Sequence, residues 1–224
     1  MIEDFYSFVE NMTSLKAIPK PCPNPPDLSK GWRIKSSTSK YKTNWMHVAE
    51  YEALAPTGVD AVYGLVKFQN LAVGILPLDE DGMTYLVGQH RFALGQYSWE
   101  VPEGGCPYNE KPIIAAKREL SEEVRLKASD WISLFSDLHL SNSVTDERAF
   151  GYVAYGLSPC EEHAADDVEE LAIWQLPVGQ AVQMVVNGEI SDALSLAILL
   201  KADHLWRRGL LPEHVAKAFE AGQI

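Results

Sequence analysis

Between Gly104 and Leu126 the chain reads GGCPYNEKPIIAAKRELSEEVRL, and this segment narrows the possible folds more than any other. Wound at about 100° per residue, its Ile113, Ala116, Leu120 and Val124 fall within a stripe roughly 80° wide, the width of a core-facing seam. Glu119, Glu122 and Glu123 fall on a neighbouring face centred about 120° away, at spacings i, i+3 and i+4. The fold must therefore seat one side of this helix on a core while the next side gathers three carboxylates. Such a face is unstable by itself unless a cation neutralises it. Lys117 and Arg118 offset part of the repulsion, and a divalent ion would offset more. Oxygen-only ligands suit Mg2+ or Mn2+ rather than zinc. A merely solvated acidic face is the alternative reading of the same residues.

Around this helix the sequence alternates strand and helix texture. Ile2–Asn11 predicts a short amphipathic helix, and five prolines between Ile18 and Pro26 predict an extended stretch, so residues 1–30 read as an arm. Residues 31–69 read as a strand region broken at Ser36–Ser39 and at Pro56-Thr57-Gly58. Leu71–Leu78 and Met83–Gln89, joined through Asp79-Glu80-Asp81-Gly82, predict a hairpin. Pro112–Leu126 is the helix already described. Leu134–Leu140, Arg148–Leu157 and Glu170–Leu176 predict strands. Ser191 or Asp192 should cap a helix running to Arg208 and stopped by Gly209, with a final short helix near Pro212, so that residues 70–210 form the main domain and 211–224 a C-terminal helix. Interleaved strands and helices in this order predict an α/β (α+β) sandwich with a mixed sheet.

Composition limits the partners. Lys and Arg number 19 against 31 Asp and Glu, a net charge of −12, which argues against a nucleic-acid surface. A small phosphorylated substrate remains compatible, because a bound metal reverses the local sign of a site. The three cysteines (Cys22, Cys106, Cys160) are too widely spaced for a metal knuckle, and the six histidines show no His-x-x-x-His spacing. Glu3, Asp4 and Glu10 do not suit a signal peptide, and the longest apolar runs are too short to span a bilayer. The expectation is a cytoplasmic protein that engages neither nucleic acid nor membrane.

The acidic segment resembles the Nudix box, G-x5-E-x7-R-E-U-x-E-E-x-G-U with U aliphatic. Gly104, Glu110, Arg118, Glu119, Leu120, Glu122, Glu123 and Leu126 take its positions, and Arg125 stands where the motif has glycine. Six fixed residues at these spacings have a chance probability on the order of 10⁻⁵, which favours a real match even in a Glu-rich helix. The flanks are similar to the ADP-ribose (ADP-sugar) pyrophosphatase branch over most of residues 45–205. Gln89-His90-Arg91 and Trp99-Glu100-Val101-Pro102-Glu103-Gly104 parallel its Q-Y-R and W-E-(L/V)-P-A-G stretches, with Glu103 where the branch has alanine. Thr145-Asp146-Glu147 parallels its catalytic loop, and Gly188–Ala193 its C-terminal helix entry. The prolines usual before Thr145 are replaced by Leu140-Ser141-Asn142-Ser143-Val144, a departure at the substrate end of the pattern.

The resemblance implies a Nudix-type α/β/α sandwich and hydrolysis of a nucleoside diphosphate linked to another moiety. It implies Mg2+ (or Mn2+) held by Glu119 and Glu123, with Glu122 and the Glu103 carbonyl completing the set. Arg118 would orient a glutamate, and Glu147 or Glu122 would take the proton of the attacking water. Arg91, Glu100 and Trp99 would meet a nucleotide substrate, although Trp99 reads equally well as a core aromatic and Arg91 as half of a surface ion pair. The branch uses its N-terminal strands to build a homodimer, for which Trp45–Tyr51 and Ala61–Phe68 are the matching segments. A nucleotide sensor without turnover, or a hydrolase of another organic pyrophosphate, would use the same fold.

Overall fold

The computed structural model describes residues 31–161 and 170–223. The helix expected at Ile2–Asn11 and the proline-rich arm lie outside the described residues. Ten strands and four helices follow in order: β1 (Arg33–Lys42), β2 (Met46–Leu54), β3 (Asp60–Phe68), β4 (Asn70–Leu78), β5 (Met83–Arg91), β6 (Gln96–Glu100), β7 (Glu103–Pro107), α1 (Pro112–Val124), β8 (Leu126–His139), β9 (Arg148–Pro159), β10 (Ala172–Pro177), α2 (Val178–Val186), α3 (Ala193–Arg207) and α4 (Glu213–Ala221). Among the described residues no helix is long and apolar enough to cross a membrane.

The central sheet has the order β7-β4-β9-β8. Its middle pair, β4 and β9, is parallel, while β7 and β8 flank it antiparallel, so the sheet is mixed. Side chains of β4 alternate between two cores, as the period of a strand requires. Val73 and Ile75 pack with Ala115, Ala116, Leu120 and Val124 of α1. Leu76 and Leu78 pack with Ile198, Leu199 and Leu205 of α3 and with residues of α2 and α4. At Gly74 a Cβ would come within 2.7 Å of Ile198 Cδ1, so only glycine lets α3 lie this close. The result is the expected helix–sheet–helix layering, with α1 alone on one side among the described residues.

The expected hairpin of β4 and β5 forms only at its turn. Asp79 N–H donates to Met83 O (3.1 Å), and Asp79 Oδ1 accepts from Met83 N–H (2.8 Å). Beyond that point the strands part into different sheets, because β4 is engaged by β7 and β9 and β5 by β6 and β10. A second correction concerns Ser36–Ser39, which do not break the chain. β1 runs through them, absorbing two register shifts against β2, and Ser36 Oγ donates to Glu52 (3.0 Å) across the pair. β1, β2 and β3 make a separate antiparallel sheet in which all ten residues of β1 are exposed.

Candidate active site

The site assembles where β6 turns into β7, between the N-terminus of α3 and helix α1. Val101 is fully buried and its N–H donates to Ser195 Oγ (2.9 Å). Ser195 lies in the first turn of α3, where Asp192 Oδ2 accepts from Ser195 N–H (2.7 Å) as N-cap. On the other side Pro102 O accepts from Ile75 N–H of β4 (2.8 Å). The residues after this turn, Glu103 and Gly104, are thereby fixed against α1.

Glu119 and Glu123 are both buried charges, 9% and 7% exposed. Glu123 Oε2 accepts from Glu103 N–H at 2.9 Å. The Glu119 carboxylate lies directly over Gly104, so close that a Cβ there would fall 2.2 Å from its carboxyl carbon. This contact explains the motif glycine better than backbone freedom does: any side chain at position 104 would displace Glu119. Arg118 then ties the box together. Its guanidinium donates to Glu119 (2.7 Å), Glu122 (2.9 Å), Glu110 (3.3 Å) and the Gly105 carbonyl (2.8 Å). A planar fork with five donors can serve several acceptors at once, which lysine cannot match.

A second acidic group adjoins the first. Arg91, at the end of β5, donates through Nε and Nη2 to the buried carboxylate of Glu100 and through Nη2 to Glu103 Oε1 (2.7 Å). Oxygens of Glu100, Glu103 and Asp192 lie within 4.8 Å of one another. Glu103 Oε2 is buried and accepts no hydrogen bond. Burial raises the Glu103 pKa well above the ordinary carboxylate range, and Asp192 and Glu100 push the same way against the pull of Arg91. Glu147 is half-buried just before β9. Desolvation raises its pKa too, helped by the charges of Asp192 and Asp146.

The structure thus joins Glu103, Arg118, Glu119, Glu122 and Glu123 around one turn, links Arg91 and Glu100 to them through Glu103, and sets Glu147 within electrostatic reach of Asp192. Trp99 is the exception. It precedes Glu100 on β6, so its side chain leaves the opposite face of the strand. There it packs edge-on between Tyr97 (5.6 Å) and Trp174 (5.4 Å) against the α3 core. Of the two readings of Trp99, core aromatic and substrate contact, these contacts fit the first. Sequence reading missed Asp192 and the Glu103 side chain as members of the site, and gave Glu110 a motif position but no role. The N-cap position of Asp192 was visible, but its neighbours across the fold were not.

These groups suit a hard divalent cation. The ligands on offer are all oxygen, the carboxylates outnumber the two guanidinium groups, and a buried carboxylate oxygen stands without a donor.

The chain has recognisable relatives among known proteins. A family model described as "NUDIX domain" matches residues 69–212. The chain is 34% identical over 131 residues to an ADP-ribose pyrophosphatase of Mycobacterium tuberculosis, a match covering 58% of this chain and 63% of that protein. It is 28% identical over 139 residues to an ADP-ribose pyrophosphatase of Bacillus subtilis, covering 62% of this chain and 74% of the relative. The matched part thus falls short of two thirds of the first of these relatives. A crystal structure of an ADP compounds hydrolase shares the fold, with a TM-score of 0.71 at 22% identity over 81% of this chain and 97% of that one.

Proposed function

The chain belongs to the NUDIX family, and from that premise we propose that it hydrolyses the pyrophosphate bond of a nucleoside diphosphate joined to another moiety, with ADP-ribose or a related nucleotide sugar as substrate. The observation that carries the reading is the pair of buried carboxylates, Glu119 over Gly104 and Glu123 on the Glu103 N–H. Arg118 offsets part of this buried charge through Glu119, and a divalent cation would offset more. The names of the two relatives, both ADP-ribose pyrophosphatases, support the substrate class.

Glu119 and Glu123, with Glu122 and Glu103, would hold Mg2+ (or Mn2+). When bound, the ion neutralises the diphosphate and makes a nearby water more acidic. Arg118 keeps Glu119 and Glu122 in place through charge-assisted bonds. Arg91 meets an anionic substrate oxygen in competition with Glu103, its present partner. Glu147 accepts the proton as water attacks phosphorus; a P–O bond forms, the bridging P–O bond breaks, and two monophosphates leave. A carboxylate with a raised pKa is the better base for this step. The strand β1, exposed along its whole length, supports a homodimer as the working form.

The test is kcat/KM for ADP-ribose, a GDP- or UDP-sugar and a nucleoside triphosphate with Mg2+, on one preparation, with phosphorus NMR of the products. ADP-ribose should lead. A triphosphate ahead by about tenfold or more would overturn the sugar assignment, and undiminished turnover in excess EDTA would remove the metal.

A further inference from the structure

Glu147 leads into β9 of the central sheet, but the loop that delivers it has a second hold outside that sheet. The loop before it lies along β3. Val66 N–H donates to Val144 O (2.9 Å), Asp146 N–H donates to Val66 O (3.3 Å), and Val66 and Thr145 form a parallel bridge. The Tyr63 hydroxyl donates to Ser143 O. Asp146 adds a side-chain link, its Oδ1 accepting from Phe68 N–H at 2.9 Å. Residues 144–146 therefore act as a short fourth strand on the edge of the β1–β3 sheet. Inside the loop, Thr145 N–H and its hydroxyl donate to Ser141 O (3.0 and 3.1 Å), and Glu147 N–H leans on Thr145 Oγ1 (3.4 Å).

Asp146 is fixed to β3, and Glu147 next to it lies where the charges of both Asp192 and Asp146 reach it. Asp146 is exposed, so its carboxylate serves no core. Its contribution is an anchor at the residue next to the base.

We propose that Asp146 is a positioning residue that aims Glu147 by anchoring the loop 141–147 to the edge of β3. The inference rests on the reading of Glu147 as the base. Because β3 belongs to the N-terminal sheet, Glu147 is held from two sides, by β9 of the central sheet and by the loop anchored to β3, whereas Glu119, Glu122 and Glu123 stand on α1.

The experiment is a double-mutant cycle in the full chain, using ADP-ribose with Mg2+ and following kcat, KM, Mn2+ binding by EPR and Tm. Asp146→Ala should lower kcat by about tenfold or more, with KM and Mn2+ affinity unchanged. Asp146→Asn keeps an oxygen for the Phe68 N–H and should stay within about threefold of wild type. In a Glu147→Gln background, Asp146→Ala should cost nothing further, because the residue acts through Glu147. Deuterium uptake across 141–147 should rise in Asp146→Ala and not in Asp146→Asn, a readout independent of activity. An Asp146→Ala loss of the same size in both backgrounds, or an Asp146→Asn loss equal to that of alanine, overturns the positioning role alone. Wild-type kcat in Glu147→Gln removes the base assignment, and the positioning role with it.

Discussion

At Glu103 a carboxylate sits with one oxygen on Arg91 and the other buried without a donor. Its folded-state pKa is raised, so the stability linked to this group is complete below the unfolded carboxylate value and lost as pH rises through the folded one. Glu103→Gln should therefore raise Tm in EDTA at pH 8 by at least about 3 °C, with the gain shrinking toward zero as pH falls to about 4. Calorimetry at both pH values checks this; a lower Tm for the variant at pH 8 would mean that the Arg91 pair outweighs burial. Much of the site was legible at this scale. Helix period alone brings Glu119, Glu122 and Glu123 together, and the Arg118 network follows from its position one turn before Glu122. Asp192 was not legible, since it meets Glu103 only when α3 docks on the β6–β7 turn. Trp99 was legible in both its readings: adjacent residues of a strand point to opposite faces, so placing Glu100 in the site favours the core reading of Trp99.

The four helices illustrate what local pattern does and does not carry. α1 ends at Val124, and Arg125 takes the left-handed conformation at its C-cap (φ 58°, ψ 34°), the one non-glycine residue with positive φ among those described. The exit expected of the motif glycine is thus preserved, with the strain borne by a residue that has a Cβ. Arg125→Gly should relieve about 1 kcal/mol of it, seen as a higher denaturant midpoint at unchanged m-value, with kcat unaffected. A lower midpoint would show that contacts of the Arg125 side chain outweigh its backbone strain. α3 was readable because Asp192 caps it. α2 was not anticipated, for its run of valines has strand-like propensity. Yet Val178, Ala181, Val182 and Val185 are buried at helical spacing, and tertiary packing decides the conformation. The β4–β5 turn was read correctly from Asp79 and Gly82, whereas the choice of partner for each strand depends on edges supplied by residues as distant as Arg148 and Ala172.

For the whole molecule, the β1–β3 sheet is the part least complete in one described chain. Ile34, Val62 and Trp45 are 68%, 69% and 72% exposed, and among the described residues β1 pairs only with β2, which leaves its other edge open. If a second copy covers this sheet, light scattering at micromolar concentration should give the mass of two chains, and Ile34→Lys should shift it toward one. A single-chain mass for the wild type would oppose the dimer. The parallel pairing of β4 with β9 has a different consequence, for the order in which the chain acquires structure. Ala72 is matched with Ala149, partners about 77 residues apart. At a synthesis rate of about 5–20 residues per second, the second partner emerges about 4–15 s after the first. Throughout that interval β4 has one buried-to-be edge unpaired, and α1 has only part of the surface it will finally rest on. Refolding of the finished chain faces the same long loop closure, so it should run slower than that of a helical bundle of equal size. A nascent chain halted before Phe150 should hold β4 open to any extended peptide that reaches it.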